Sequence, residues 1–218
     1  MRSVAVLGAG IMGAGIAQAA AQAGYSVILR DLNMALVKGG LNTIEQSLEH
    51  LQDQGFITMD DKTATVSRIK GTVDLAELNG VDLVIEAVVE NMAVKKQIFA
   101  ELDNICPEHT ILASNTSSLS ITEIAASTRR QDKVLGMHFF NPVSKTRLVE
   151  IISGIETSEA TLNSCSQFVN KINKEYVVLK RESPGFIVNR ILAGMMVEAS
   201  RVYDERLASV EEIDKAIK

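Results

Sequence analysis

Short apolar runs alternating with longer helical patterns predict an α/β protein. Its sheet is expected to be doubly wound and mostly parallel, with an all-helical C-terminal segment after it. Three observations carry this reading. The runs are separated by crossover-length stretches, as parallel strands require. A glycine-rich turn joins the first run to the first helical pattern. Beyond Ser183 the strand-like runs cease and helical periodicity alone remains.

The elements follow in order. Val4–Leu7 is a buried strand, and Ile11–Ala23 is an alanine-rich helix stopped by Gly24. Val27–Leu29 is the next strand. Asn33 to Gln54 is a long amphipathic helix, weakened by Gly39–Gly40 and ended at Gly55, and a second helical piece covers Asp60–Arg68. Ile69–Val73 and Leu83–Ile85 are strands, followed by the helix Ala93–Ile105 and the breaker Pro107. Then come the strand Ile111–Ala113, the short helix Ile121–Ala126 and the strand Val134–Met137. Leu148–Ile152 is a strand, Ser158 caps a helix over Glu159–Asn173, and Tyr176–Leu179 is the last strand. Ser183 is expected to cap a helix reaching Glu205, with Pro184 at its first position, where a missing N–H costs nothing. Ser209 and Glu212 have the spacing of a capping box and open a final helix. The domain boundary falls at Ser183: residues 1–183 form the sheet domain and 184–218 begin a helical one.

Composition narrows the function. Hydrophobic residues are 46% and charged residues 22%, as in a water-soluble globular chain; aromatics are 4% with no Trp, so the core is aliphatic. A net charge of −5 without a basic cluster argues against a nucleic-acid partner. Cys106 and Cys165 are far apart and show no metal-ligand spacing, which predicts buried free thiols, no metal site and a reducing compartment. Arg2 and the apolar stretch behind it have the outline of a secretory leader, but Gly8, Gly10 and Gly13 interrupt it. No run approaches the ~18 apolar residues that span a bilayer, so the expected location is the cytoplasm, without a membrane partner.

Gly8-Ala9-Gly10-Ile11-Met12-Gly13 is a GxGxxG that directly follows a buried strand and opens a helix. Such a turn brings backbone against a pyrophosphate and offers it the helix N-terminus. Asp31, at the end of the second strand, can accept the ribose hydroxyls and would repel a 2′-phosphate, favouring NAD over NADP. Arg30 beside it could instead hold that phosphate, or be a solvated residue on the opposite strand face. Together these features point to a Rossmann-type dinucleotide domain.

Other polar groups look chemical. Ser114–Ser118 follows one strand, His138–Pro142 another, and both are strand C-termini, where open α/β sheets place ligands. His138 is suited to act as a general base for a hydroxyl, since imidazole exchanges protons near neutrality. Glu150 on the next strand could orient it. Asn189 shares a helix face with Leu192, Met196, Ala199 and Tyr203, either as a structural amide or as a ligand.

The stretches VAVLGAGIMGAGIAQ (from Val4), DLVIEAVVENMAVKKQIFAELD (from Asp82), ILASNTSSLSITEIA (from Ile111), GMHFFNPV (from Gly136), LVEII (from Leu148), PGFIVNRIL (from Pro184) and SVEEIDKAIK (from Ser209) resemble the 3-hydroxyacyl-CoA dehydrogenase family, nearest to its short bacterial 3-hydroxybutyryl-CoA type. The resemblance implies NAD as cofactor, an acyl-CoA substrate and a homodimer. It also implies work in fatty-acid or butyrate metabolism, such as β-oxidation. Within it, His138 matches the catalytic base, Glu150 its partner, Ser117 and Asn189 the groups that bond the substrate oxygen, and Asn141 a supporting residue. Gly8, Gly10, Ile11, Met12, Gly13, Asp31, Glu90, Lys95, Ser117 and Asn141 match cofactor contacts. On a local reading, Glu90 and Lys95 are ordinary helix-start charges. Ser144-Lys145-Thr146-Arg147 departs from a Pro and more apolar residues in relatives, which bears on acyl preference. Relatives continue beyond Lys218 with helices that supply most dimer contacts, so weak activity, non-native association, or both are expected of this chain. Two rivals remain: another hydroxyacid dehydrogenase of the same fold, often using Lys as acid/base, and a non-catalytic NAD binder.

Overall fold

The computed structural model describes residues 1–218. Its strands are β1 (Ser3–Leu7), β2 (Ser26–Arg30), β3 (Ile69–Thr72), β4 (Leu83–Glu86), β5 (Ile111–Ser114), β6 (Val134–Phe139), β7 (Leu148–Ser153) and β8 (Glu175–Leu179). Its helices are α1 (Ile11–Gln22), α2 (Met34–Asp53), α3 (Met59–Ser67), α4 (Met92–Ile105), α5 (Ile121–Ala125), α6 (Glu159–Lys171), α7 (Val188–Asp204) and α8 (Val210–Ile217). The strands form one sheet in the order β3-β2-β1-β4-β5-β6-β7-β8. The order reverses between β1 and β4, a switch point where open α/β sheets leave a crevice for a ligand.

All neighbours pair in parallel except β6 and β7, which run antiparallel with His138 opposite Glu150. Alternating strand residues feed two cores. Val4, Val6, Leu83 and Ile85 face Ile16, Ile44 and Phe168 of α1, α2 and α6. Ala5, Leu7, Val84 and Leu112 face Phe99, Leu102 and Ile124 of α4 and α5. Gly40, one of the pair that weakens α2, has a use: a Cβ there would lie 2.7 Å from the Ala9 carbonyl, so its absence lets α2 approach the glycine turn.

The C-terminal helices differ from the sequence expectation at one end. α7 begins at Val188, not behind Ser183, and Ile187 at its N-cap supplies no side-chain cap. Gly185 and Phe186 take φ +76° and +51°, so Pro184 opens a left-handed turn and not a helix. The box at α8 forms as its spacing predicts, with Ser209 and Glu212 capping each other's backbone. α7 and α8 bury no residue fully. No helix is long and apolar enough to cross a membrane.

Candidate active site

The crevice starts at the end of β1. Gly8 has φ +96°, and a Cβ there would lie 2.4 Å from the carbonyl oxygen of Ala87. A Cβ on Gly13 would come within 1.8 Å of the Gly8 oxygen. Both glycines are therefore demanded by the fold. Gly10 is not: a Cβ there meets nothing within 4 Å, so the space beside it is open. Gly10 is the N-cap of α1 and supplies no side-chain cap, and the N–H groups of a helix's first turn have no partner within the helix. Asp31 reaches across from the end of β2. Its Oδ2 accepts the Ala9 N–H at 2.7 Å and its Oδ1 the Leu32 N–H at 2.6 Å. Arg30 donates its Nε–H to the Val73 carbonyl at 3.2 Å. An open cradle, a helix N-terminus and a carboxylate at the second strand fit the pyrophosphate and ribose of a dinucleotide.

The β6–β7 reversal builds the second half. Cross-strand partners project to one face, so His138 and Glu150 lie side by side, with Nδ1 2.7 Å from Oε2. Glu150 is 0% exposed and its other oxygen accepts the N–H groups of Ile187 and Val188 at 2.9 and 3.0 Å. The imidazole lies near the rings of Phe140 and Phe186, at centroid distances of 4.4 and 5.7 Å. With Nδ1–H directed to the carboxylate, Nε2 carries the lone pair.

Ser117 sits in the turn between β5 and α5. The Asn115 side chain accepts the Phe139 N–H at 2.9 Å, which ties this turn to the end of β6 beside His138. Glu90 holds the turn from the other side, accepting the Thr116 hydroxyl at 2.5 Å, the Ser117 N–H at 2.9 Å and the Ser117 hydroxyl at 3.3 Å. Burial raises the Glu90 carboxyl, but the Thr116 and Ser117 hydrogen bonds and the Lys95 charge outweigh it and hold it below its ordinary value.

Lys95, which the resemblance matches to a cofactor contact, is 1% exposed, with Nζ 2.6 Å from Glu86 and 3.3 Å from Glu90. Its ammonium braces the Glu90 carboxylate from the buried side. Glu86 completes the cluster, accepting the Val88 N–H at 2.8 Å and the Ser114 hydroxyl at 2.7 Å.

Asn141 is exposed at the start of the β6–β7 connection, and Asn189 is half-buried in the first turn of α7, one residue past the backbone held by Glu150. Sequence reasoning overlooked Glu86, Phe186 and Glu182. Glu86 did carry a signal: a carboxylate ending an all-apolar strand must find partners. Glu182 accepts the Ser120 hydroxyl and the Thr122 N–H at 2.8 and 3.0 Å, tying the segment before α7 to α5.

A dinucleotide cradle beside a carboxylate-braced imidazole defines a dehydrogenase of hydroxyl substrates. Residues 3–183 match the profile of the 3-hydroxyacyl-CoA dehydrogenase, NAD binding domain, and residues 185–218 that of its C-terminal domain. The chain therefore belongs to the 3-hydroxyacyl-CoA dehydrogenase family, and its cofactor is NAD. It is 46% identical to a 3-hydroxybutyryl-CoA dehydrogenase of Clostridioides difficile, over 99% of this chain and 76% of that protein. It is 44% identical to the human mitochondrial hydroxyacyl-coenzyme A dehydrogenase, over 100% and 71%. The crystal structure of (S)-3-hydroxybutyryl-CoA dehydrogenase from Ralstonia eutropha superposes with a TM-score of 0.95 at 44% identity, covering 97% of this chain and 75% of that one.

Proposed function

We propose that this chain interconverts short-chain (S)-3-hydroxyacyl-CoA, such as 3-hydroxybutyryl-CoA, and the corresponding 3-ketoacyl-CoA, with His138 as general base. The observation that carries this reading is the 2.7 Å contact between His138 Nδ1 and the buried Glu150, which leaves Nε2 as the basic atom. Bound NAD would supply the hydride acceptor for C3. His138 Nε2 takes the proton of the 3-hydroxyl as the C3–O bond becomes a carbonyl. Glu150 stabilises the imidazolium and fixes its tautomer. Ser117 and the Asn189 amide hydrogen-bond the substrate oxygen, and Asn141 lines the approach to them. Glu90 and Lys95 hold Ser117 beside the nicotinamide half. Gly8, Gly10, Ile11, Met12, Gly13 and Asp31 take the pyrophosphate and adenosine ribose. In reverse, the protonated His138 acts as acid towards the ketone.

The division of labour places nucleotide binding in residues 1–183 and assigns residues 184–218 to substrate contact and pairing of two copies. A cytoplasmic place in fatty-acid or butyrate turnover suits such an enzyme. The test is NADH oxidation with acetoacetyl-CoA, free acetoacetate and NADPH compared in parallel. Turnover is expected with the thioester and NADH. Equal turnover of free acetoacetate would remove the acyl-CoA assignment, and a preference for NADPH would contradict the role given to Asp31.

A further inference from the structure

Glu86 ends β4, the strand at which the order of the sheet reverses, with Leu7 opposite it on one side and Ser114 on the other. Its carboxylate is fully buried, and both oxygens are engaged. Oε1 accepts the Lys95 ammonium at 2.6 Å and the Val88 N–H at 2.8 Å, while Oε2 accepts the Ser114 hydroxyl at 2.7 Å. A buried carboxylate and ammonium are a weak source of stability, because desolvation offsets most of their attraction. What such a cluster does supply is direction, since each polar atom must meet its partner.

Two routes run from Glu86 to Ser117. Along the first, the Ser114 hydroxyl that donates to Oε2 accepts the Thr116 N–H at 3.3 Å, in the turn that carries Ser117. Along the second, Lys95 Nζ lies 3.3 Å from Glu90 Oε2, and Glu90 Oε1 accepts the Thr116 hydroxyl and both the N–H and the hydroxyl of Ser117. The Glu90 side chain is 40% exposed and that of Lys95 only 1%, so the ammonium is the anchored end of this pair. Glu86, at the shorter distance, anchors the ammonium in turn. Both routes start from one carboxylate and meet at the same turn.

We propose that Glu86 is a positioning residue for Ser117, holding the β5–α5 turn through Ser114 and, by way of Lys95, through Glu90. The inference rests on the reading of Ser117 as a ligand of the substrate oxygen. A serine hydroxyl has a single proton to donate. Here it is directed to Glu90 across 3.3 Å, while the Ser117 N–H sits on the same oxygen at 2.9 Å. Ser117 is thus seated by its backbone, and its proton can turn to a substrate oxygen at the cost of one long hydrogen bond. Without the Glu86 charge, the ammonium moves towards Glu90 and draws that carboxylate off Ser117.

The test starts from Glu86→Gln, which keeps the shape of the side chain but has one acceptor oxygen in place of two. Hydrogen exchange at the Ser117 amide, read by NMR, should speed up about tenfold, the loss of one charge-assisted hydrogen bond. The Thr122 amide, held by Glu182, should keep its rate. An unchanged Ser117 amide would overturn the proposal. Turnover of acetoacetyl-CoA with NADH should fall about tenfold in Glu86→Gln, but less than about twofold when the same change is made in the Ser117→Ala background, because the effect passes through that hydroxyl. Equal penalties in the two backgrounds would show a general structural role and overturn it as well. Should a lone buried ammonium prevent folding, Glu86→Gln combined with Lys95→Met removes both charges at little cost in stability. That double variant should unfold in urea near the wild-type midpoint and keep the turnover deficit; wild-type turnover in it would contradict the link. The exchange measurement needs no turnover, so it separates failure of this link from failure of the role given to Ser117.

Discussion

Single residues in the glycine turn separate stability from binding. Gly13 has no room for a Cβ, 1.8 Å from the Gly8 oxygen. Gly13→Ala should destabilise the fold by about 1–3 kcal/mol, as overpacking does, read by urea unfolding. Gly10→Ala meets no protein atom within 4 Å. It should keep the wild-type unfolding midpoint while NADH affinity, followed by fluorescence, drops at least about tenfold, because the methyl occupies space meant for phosphate. Retained affinity would remove Gly10 from the nucleotide site. His138→Ala should lose about 10²–10⁴ in turnover and keep NADH affinity; near-wild-type rates would end its role as base. The glycine turn and Asp31 were legible in the sequence because their residue types and spacing form a recurring pattern, although Gly8 is confined by Ala87 and Asp31 bonds Ala9. Lys95 was not: nothing local tells an ammonium at a helix start from one sealed between Glu86 and Glu90.

At the scale of elements, the start of α7 shows where local reading fails. Ser183 and Pro184 have the residue types of a cap and a first helical position, yet α7 begins at Val188, capped by a carboxylate from β7. A cap supplied across the fold leaves no local trace. The strands and the other helices lie within a few residues of expectation, since apolar periodicity is a local property. Glu182 anchors the same segment. Burial raises its carboxyl, but hydrogen bonds from Thr122 and Ser120 outweigh this and lower it. A carboxyl lowered on folding adds stability that is fully present above its unfolded value and lost as pH falls through the folded one. The difference in melting temperature between the wild type and Glu182→Gln should therefore be full above about pH 5 and fade in more acidic buffer. A difference that does not change with pH would show that the carboxylate's charge is not what anchors the segment.

Across the whole molecule, the reversal between β6 and β7 was the least legible feature of the site. Spacing alone could not say that Glu150 returns beside His138. The two thiols follow from composition and burial together: Cys165 is pushed up to about 12 and Cys106 to about 11, both by desolvation first. Both should resist a thiol reagent at neutral pH in the native protein and react once guanidinium unfolds it; rapid native labelling would contradict their burial. α7 exposes Ile191 and Met196, the turn after it Leu207 and α8 Val210, with Met196 67% exposed. An apolar face of this kind favours association. Elution in size-exclusion chromatography should shift to larger size with concentration, and Met196→Glu should reduce the shift. A concentration-independent monomer would oppose this expectation.

The β6–β7 ladder also separates what can vary from what cannot. Acid–base geometry is written into backbone register, where a slip of one residue would turn Glu150 to the opposite face of the sheet. The connection above it is not so constrained: Ser144 and Lys145 point into solvent, while Val143 and the Lys174 contacts with the Val143 and Thr146 carbonyls pin its base. Exchanges at the tip of that hairpin can therefore accumulate while the His138–Glu150 pair stays in place, an opening for redesign that leaves this geometry untouched.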